Sequence, residues 1–255
     1  MTIAKALAIL AAGIAAGGIN TLVGSGTLIT FPLLLTFGFA PVTANVSNTI
    51  GLVPGTLSGA VAYRREMSGQ RTRAIRLGSA SLLGGATGAA ALLLLPASSF
   101  EAIVPFFIGL AILMVAFGPR LNRAVAARRG THPDDTTIGD PVGVWIAIFA
   151  TGFYGGYFGA AQGVLLLGVL GLALAENLHR INALKIVLAA TVNSVAAIIF
   201  MLVADVNWAV VGLIAIGSVF GGGIAGRYGR HLPVAVLRGL IIVVGLIGIV
   251  SLLSR

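Results

Sequence analysis

The chain has 255 residues, of which 58% are hydrophobic and 9% are charged. Soluble domains carry about 25% charged residues, so a soluble globule of this composition would lack the polar side chains to cover its surface. Residues 79–96 and 232–253 carry almost no charge, and each run is about as long as a membrane-spanning helix. The composition predicts an all-α, multi-pass membrane protein.

The net charge of +9 is concentrated in short loops between the apolar runs. In a soluble protein such an excess would indicate nucleic acid, but in a multi-pass protein basic loops set the orientation in the membrane. The absence of cysteine excludes disulfides, thiol nucleophiles and cysteine-ligated metals. No metal site or other cofactor is expected, since the histidines lie near segment ends without a second ligand at helical spacing: His132, His179 and His231.

Eight apolar blocks follow one another along the chain. They cover about residues 3–37, 40–63, 73–95, 99–118, 141–175, 181–204, 208–226 and 233–253. Lys5 precedes an apolar stretch, but no small-residue cleavage site follows it, so the first block is interpreted as a membrane segment rather than a signal peptide. Six blocks fit one crossing each, whereas the first and fifth are too long for one.

Both long blocks are interrupted midway by small and polar residues. The interruptions are GGINTLVGSG at residues 17–26 and GGYFGAAQG at residues 155–163. Such interruptions predict that the first block of each half is a broken or re-entrant helical hairpin.

The two halves of the chain align at one offset. A polar stretch at residues 119–140 separates them, and a shift of 137 residues without gaps superimposes glycines, an asparagine and a proline. The aligned pairs are Gly18 with Gly155, Gly26 with Gly163, Asn45 with Asn182, Gly84 with Gly221, Gly85 with Gly222, and Pro96 with Pro233. We therefore expect a duplication, with repeats at residues 1–118 and 141–255 joined by a basic cytoplasmic linker at residues 119–140.

Equivalent loops of the two halves carry opposite charge bias. The loop after the second block holds five arginines between residues 64 and 76, whereas its counterpart holds Asp205 alone. The loop after the third block holds Glu101, and its counterpart holds Arg227, Arg230, His231 and Arg238. By the positive-inside rule, the repeats are inverted, with both termini outside. Eight single crossings are the alternative, and they would place the last basic region outside.

Polar groups at the two interruptions are the first candidate binding residues. A broken helix at mid-membrane exposes N–H groups whose dipole favours an anion. Two equivalent breaks in inverted repeats predict a site at the membrane midplane. The alternative is that the glycines only let helices pack closely. The candidates are Asn20, Ser25, Gly26, Thr27, Gln162 and Gly163.

A second group of candidates lies near the starts of the second and sixth blocks. Helical spacing places the first three of these residues on one face, and the last two repeat that face at the 137-residue offset. They are Asn45, Asn48, Thr49, Asn182 and Lys185. Lys185 is the one cation well inside an apolar block, so it either faces a cavity and binds a small oxyanion or extends to the cytoplasmic interface.

No carboxylate lies deep inside an apolar block. A buried acid for proton coupling is therefore not visible, and coupling through Lys185, through the protonation of the substrate itself, or not at all stays open. No nucleophile, metal cluster or pair of carboxylates lies within the blocks either, so no catalytic residue is assigned and no enzyme is expected.

The interrupted segments resemble a known family. Residues 17–32 (GGINTLVGSGTLITFP), the leucines 33–35, Gly38 and residues 44–49 are similar to the first-half signature of the TauE/SafE sulfite exporter family of TSUP-type permeases. Residues 152–163 and 182–185 resemble its repeated motif, and the likeness spans nearly the whole chain. Thr27 stands where that family often has glycine, and residues 160–162 replace glycines in the second half.

The resemblance implies a cytoplasmic-membrane permease for sulfite or a small organosulfur anion such as a sulfonate, often an exporter. Its expected partners are a small anionic substrate and the lipid bilayer, with no nucleic acid, and a homo-oligomer is left open. A permease or channel for another small anion and a non-transporting membrane scaffold are the alternative interpretations. Direction, coupling ion and the exact anion are not given by the sequence.

Overall fold

The computed structural model describes residues 1–128, 141–228 and four isolated positions beyond (239, 242, 243 and 246). Within these residues the chain is all-helical, which confirms the predicted class. The helices are α1 (Ile3–Leu22), α2 (Thr27–Thr36), α3 (Pro41–Ala62), α4 (Arg71–Leu94), α5 (Ala97–Arg128), α6 (Pro141–Tyr157), α7 (Gln162–Ala173), α8 (Leu178–Val203) and α9 (Trp208–Tyr228).

Several helices are long and apolar enough to cross a membrane. Five such stretches occur in the described part of the chain: Ile3–Leu22, Arg71–Leu94, Ala97–Gly118, Leu178–Val203 and Trp208–Arg227. Helix α3 has 22 residues, a similar length, but its first half carries a polar run. Helix α5 continues to Arg128, ten residues past the end of the predicted block. The protein is a multi-pass membrane protein.

Local sequence explains where several helices begin. Pro41 opens α3, where its fixed φ suits the first helical turn. The side chain of Asn177 caps α8 by accepting a hydrogen bond from the N–H of Arg180 at 2.9 Å, and the side chain of Asn207 accepts from the N–H of Val210 at 3.1 Å at the start of α9.

Each of the two long apolar blocks forms two helices, as predicted. The first breaks at residues 23–26 and the second at residues 158–161. Gly24, at φ +82°, and Ala161, at φ 58°, both adopt the left-handed conformation, which suits glycine and strains alanine. These two residues are 137 positions apart, so the chain turns in the same way at equivalent positions.

The first hairpin, formed by α1 and α2, ends close to the start of its own first helix. Lys5 Nζ donates to the carbonyl oxygen of Phe37 at 3.2 Å, which joins the start of α1 to the end of α2. Helix α2 has 10 residues and α7 has 12. At 1.5 Å per residue they span roughly 15 and 18 Å, about half of the hydrocarbon core.

The same pattern of helix pairs occurs twice. Helix α1 packs along α9, and α4 packs along α6; α3 contacts both α9 and α8, and α4 contacts α8. When α1, α3 and α4 are matched to α6, α8 and α9, the α1–α9 pair corresponds to the α6–α4 pair, and the α3–α9 pair corresponds to the α8–α4 pair. The first helix of each half therefore packs against a helix of the opposite half: α1 against α9, and α6 against α4.

Glycines make these crossings close. A methyl group added to Gly84 or Gly88 of α4 would collide with the α6 backbone at Phe149 or Phe153. One added to Gly221 of α9 would collide with the α1 backbone at Ile14. Backbone-to-backbone approach of this kind is how small residues associate membrane helices.

Several predicted features fall wholly or partly on residues outside the described ranges. They are the last apolar block at residues 233–253, most of the linker at residues 119–140, and the side chains of His132, Arg230, His231 and Arg238.

We expect Gly88→Ala to destabilise the protein by about 1–3 kcal/mol, since the added methyl group overpacks the α4–α6 crossing. Gly78→Ala on the same helix is the matched control, because a methyl group there meets no atom within 4 Å and removes a glycine from a helix interior. Thermal unfolding of both variants in detergent measures the difference. Equal melting temperatures would contradict the close packing described for α4 and α6.

Candidate functional site

The two helix breaks meet in the middle of the molecule. The N–H of Gly163, at the start of α7, donates to the carbonyl oxygen of Gly24 at 3.0 Å. A side chain on either glycine would collide with the backbone of the other. The interruptions of the two halves therefore form one junction.

Two small cavities flank this junction. Each has a volume of about 10 Å³, which is room for about one water-sized group. The first is lined by Asn20, Gly24, Thr27, Thr49, Leu52, Gly155, Phe158, Gly159, Gln162, Gly163, Ala189 and Asn193. The second is lined by Asn20, Thr21, Gly24, Thr56, Gly163, Lys185, Ile186 and Ala189.

Lys185 is buried at the second cavity. Its side chain on α8 has a relative exposure of 1%, so it does not reach the molecular surface. Within the described part of the chain its Nζ has no hydrogen-bond partner. An ammonium in such a place is costly unless an opposite charge accompanies it, so the site favours an anion next to Nζ.

A polar triad links three helices beside the cavities. Asn20 Nδ2 of α1 donates to Thr56 Oγ1 of α3 at 3.0 Å, and Asn193 Nδ2 of α8 lies 3.5 Å from the same oxygen. Thr56 Oγ1 in turn donates to the carbonyl oxygen of Leu52 at 2.9 Å. Asn20 and Thr56 line the second cavity together with Lys185, and Asn193 lines the first.

Two further donors at the junction lack partners among the described residues. They are Ser25 Oγ of the first break and Gln162 Nε2 at the start of α7. Both side chains are buried. Gln162 lies against Gly155, where any side chain would occupy the space of its amide. Buried donors without partners are costly, and Gln162 lines the first cavity, where an oxyanion would accept from its amide.

Some predicted site residues instead brace the hairpins. Asn45 Nδ2 donates to the carbonyl oxygen of Tyr157 at 3.1 Å. Asn48 Nδ2 donates to Thr27 Oγ1 at 3.2 Å, and its Oδ1 accepts from Thr30 Oγ1. These asparagines hold α3 against the first hairpin and against the end of α6, and neither lines a cavity.

The structure distributes the remaining candidates around the junction. Thr27 and Thr49 line the first cavity, and Gly163 lines both. Gly26 packs against Ala16 at the start of α2. Asn182 is half-buried on α8 and lines neither cavity. The sequence-based set therefore contains residues that line the cavities and residues that support them.

The helix ends at the junction bear on the expected anion chemistry. Neither α2 nor α7 has a side-chain cap at its N-terminus, so the positive ends of two helix dipoles point toward the cavities. One of the N–H groups, that of Gly163, is already used by Gly24. We therefore expect side-chain donors to contribute more to anion binding than the backbone N–H groups at the helix ends.

Thr56 and Asn193 are cavity-facing residues that were not among the predicted site residues. They are 137 positions apart and touch each other, so each is the equivalent of the other under the offset found in the sequence. A search for equivalent polar pairs in the middle of the second and sixth blocks would have identified them.

An aromatic cluster closes one side of the junction. Phe158 lines the first cavity and packs edge-on against Phe31 at 5.2 Å and stacked on Phe107 at 5.8 Å between ring centroids. Phe100 and Tyr157 complete the cluster. The aromatic residues thus both pack helices and line the cavity.

An ionic network ties the loop before α4 to the start of α8. Glu176 Oε1 accepts from Arg73 at 3.0 Å and its Oε2 accepts from Arg180 at 2.8 Å. Arg180 also donates to the carbonyl oxygen of Ser68 at 3.0 Å, and Gln70 Nε2 donates to that of Arg180 at 3.2 Å. Burial raises the pKa of the Glu176 carboxyl, but the two guanidinium groups outweigh it and lower that pKa.

The described residues show no metal-binding group. No three of the His, Cys, Asp and Glu side chains in residues 1–128 and 141–228 lie together as metal ligands would. His179 lies in the first turn of α8.

These features (an all-helical membrane fold with two broken helices and a buried polar junction) define a membrane transporter. Residues 9–252 match the sulfite exporter TauE/SafE family, and the chain belongs to this family. The resemblance noted in the sequence is confirmed. The chain is thus a membrane transporter rather than an enzyme.

Curated relatives agree with this assignment. The chain is 26% identical over 233 residues to the probable membrane transporter protein YfcA of Escherichia coli (strain K12), covering 90% of this chain and 82% of the relative. It is 25% identical over 237 residues to a probable membrane transporter protein of Haemophilus influenzae, covering 91% and 88%. A third, the probable membrane transporter protein ORF9 of Sinorhizobium sp, is 25% identical over 240 residues, covering 94% and 88%. No solved structure matches the chain significantly.

We expect Glu176→Gln to lower stability by about 2 kcal/mol, since two charge-assisted hydrogen bonds lose their anion. In the unaltered protein this contribution is complete above the ordinary pKa of a glutamate and is lost as pH falls through the lowered pKa of Glu176. Melting temperatures measured from neutral to acidic pH test both statements. The exposed Glu101 supplies the control variant Glu101→Gln. An unchanged acid profile in Glu176→Gln would contradict this role.

Proposed function

We propose that the protein is a secondary transporter or facilitator that moves a small anion across the cytoplasmic membrane. The observation that carries the proposal is the buried, unpartnered Nζ of Lys185 at the junction of the two helix breaks. An anion there would neutralise the ammonium and accept from the neutral donors around it. Thr56 and Asn193 join the substrate-binding residues predicted from the sequence.

The proposed substrate is sulfite or an organosulfur anion such as a sulfonate. The family description supports sulfur chemistry and export, and the site supports an oxyanion, because Lys185, Asn20 and Gln162 all present N–H donors. A permease or channel for another small anion is the alternative within the same class. A scaffold is less well supported, because it has no need of polar breaks at corresponding positions.

Contacts between helix ends support inverted repeats. The N–H of Asn207, after α8, donates to Ser47 Oγ near the start of α3 at 3.0 Å. Gln70, after α3, bonds to Arg180 at the start of α8. The equivalent helices α3 and α8 therefore run in opposite directions, as expected if repeats 1–118 and 141–255 have opposite orientation with the linker 119–140 in the cytoplasm.

Alternating access around the junction is the proposed mechanism. Cavities of about 10 Å³ are too small for an anion of four or more non-hydrogen atoms, so helices must separate for loading. We assign the closing layer on one side to the aromatic cluster around Phe158 and that on the other to the Glu176 network. Opening one layer while the other stays closed would expose the site to one side at a time.

We expect Lys185→Ala and Asn20→Ala to reduce anion flux at least tenfold, about 1.4 kcal/mol in lost binding or barrier height. Flux of sulfite and methanesulfonate into proteoliposomes is the measurement. Lys5→Ala is the matched control, since Lys5 lies at the start of α1 and lines neither cavity. Lys185→Ala and Asn20→Ala must be expressed and folded to the same extent as the unaltered protein. Unchanged flux in both would remove the proposed site.

Topology can be read with reporter fusions after Arg76, Asp205 and Arg230. Inverted repeats predict that Arg76 and Arg230 lie in the cytoplasm and that Asp205 lies outside. Paired cytoplasmic and external reporters at each position provide an internal control. An external location for Arg230 would contradict the inversion.

A further inference from the structure

Among the described residues, no acidic side chain lines the cavity beside Lys185. The Lys185 side chain is buried, and its Nζ has no hydrogen-bond partner among the described residues. A buried ammonium without a counter-charge is much less stable than the neutral amine. The protonation of this amine must therefore depend on what lies beside it.

The helices around Lys185 supply no counter-charge in the described structure. Its cavity is lined from α1, α3 and α7 by Asn20, Thr21, Thr56 and Gly163, none of which ionises. Helices α3 and α7 contain no ionisable residue, and α1 contains Lys5 alone, which lies beside Phe37. On α8 itself the other ionisable groups are His179 and Arg180 in the first turn, and Arg180 pairs with Glu176.

Helices α4, α6 and α9 pack against the helices around Lys185 and also carry few charges. Helix α4 has its arginines in the first two turns, at Arg71, Arg73 and Arg76. Helix α9 has Arg227 in its last turn. On α6, the Tyr154 hydroxyl donates to the carbonyl oxygen of Ala160 at 2.6 Å. No carboxylate from any of these helices faces Lys185.

We propose that Lys185 takes up a proton when the anion binds, so that the transporter moves the anion and the proton together. The inference rests on the proposed function. In the bond-forming step the Nζ lone pair takes H⁺ from the aqueous phase to which the site is open, and the amine becomes an ammonium. The new positive charge is paired with the anion. On release the anion leaves and the proton returns to water, so charge and atoms balance.

This charge pairing determines which states of the site can change sides of the membrane. The empty site, with a neutral amine, and the loaded site, with an ammonium and a monovalent anion, each bury no net charge. The ammonium without an anion and the anion beside a neutral amine each bury an uncompensated charge, which burial penalises. The site therefore changes its side either empty or with both ions, and one proton accompanies each monovalent anion.

The test is the pH dependence of anion binding to the full chain in detergent. Methanesulfonate is the probe, because it is the anion of a strong acid and carries no proton of its own. In the pH range where the amine of the empty site is neutral, the Kd of methanesulfonate should rise about tenfold for each unit increase in pH. Calorimetry in two buffers of different ionisation enthalpy should approach an uptake of about one proton per anion over the same range.

Lys185→Arg is the decisive variant, since a guanidinium remains charged at every accessible pH. We expect it to bind the anion with a Kd that does not change with pH and with no proton uptake. Sulfite is titrated in parallel, and the protonation of sulfite itself cancels in the comparison with the variant. Lys185→Gln serves where the arginine does not fit, and it should lose the pH dependence together with most of the affinity.

The outcomes separate this inference from the proposed function. Anion binding by the unaltered protein with no pH dependence and no proton uptake would overturn proton coupling and leave the anion site intact. The same proton uptake in Lys185→Arg would also overturn it, because another group would then carry the proton. Absence of both anion binding and anion flux in the unaltered protein would overturn the proposed function, and the inference with it.

Discussion

The contact between Gly24 and Gly163 is the constraint on which the rest of the structure depends. Their backbones meet by a hydrogen bond of 3.0 Å with no room for a side chain on either residue. This contact brings the starts of α2 and α7 together and puts polar groups from both halves around a common point. Lys185 lies beside that point without a partner among the described residues, so the junction concentrates buried donors in one place.

Small residues let the remaining helices support this junction. The α1–α9 and α4–α6 pairs cross backbone to backbone at glycines, and hydrophobic burial contributes little between helices surrounded by lipid. These two tightly packed pairs each join a helix of one half to a helix of the other. Movement of one hairpin would therefore displace helices from both halves, as the proposed alternating access requires.

Sequence reasoning predicted the helical class, the broken blocks and the family, because each depends on composition or on patterns along the chain. It could not distinguish residues that line a cavity from residues that brace it. Asn45 and Asn48 share a helix face with Thr49, yet of the three only Thr49 lines one of the two cavities, because the positions of both hairpins decide which side chain finds a partner. Burial of Lys185, which the sequence left open, depends likewise on helices distant in the chain.

Locating a bound anion tests the central claim most directly. Selenite replaces sulfite as a small oxyanion with an anomalous scatterer, and diffraction from crystals grown with it would show the position of selenium. The account predicts an anomalous peak at the junction, with the selenite oxygens within hydrogen-bonding distance of Lys185 Nζ and of the Asn20 or Gln162 side chain. A peak confined to the arginines at the start of α4, with the junction empty, would contradict it.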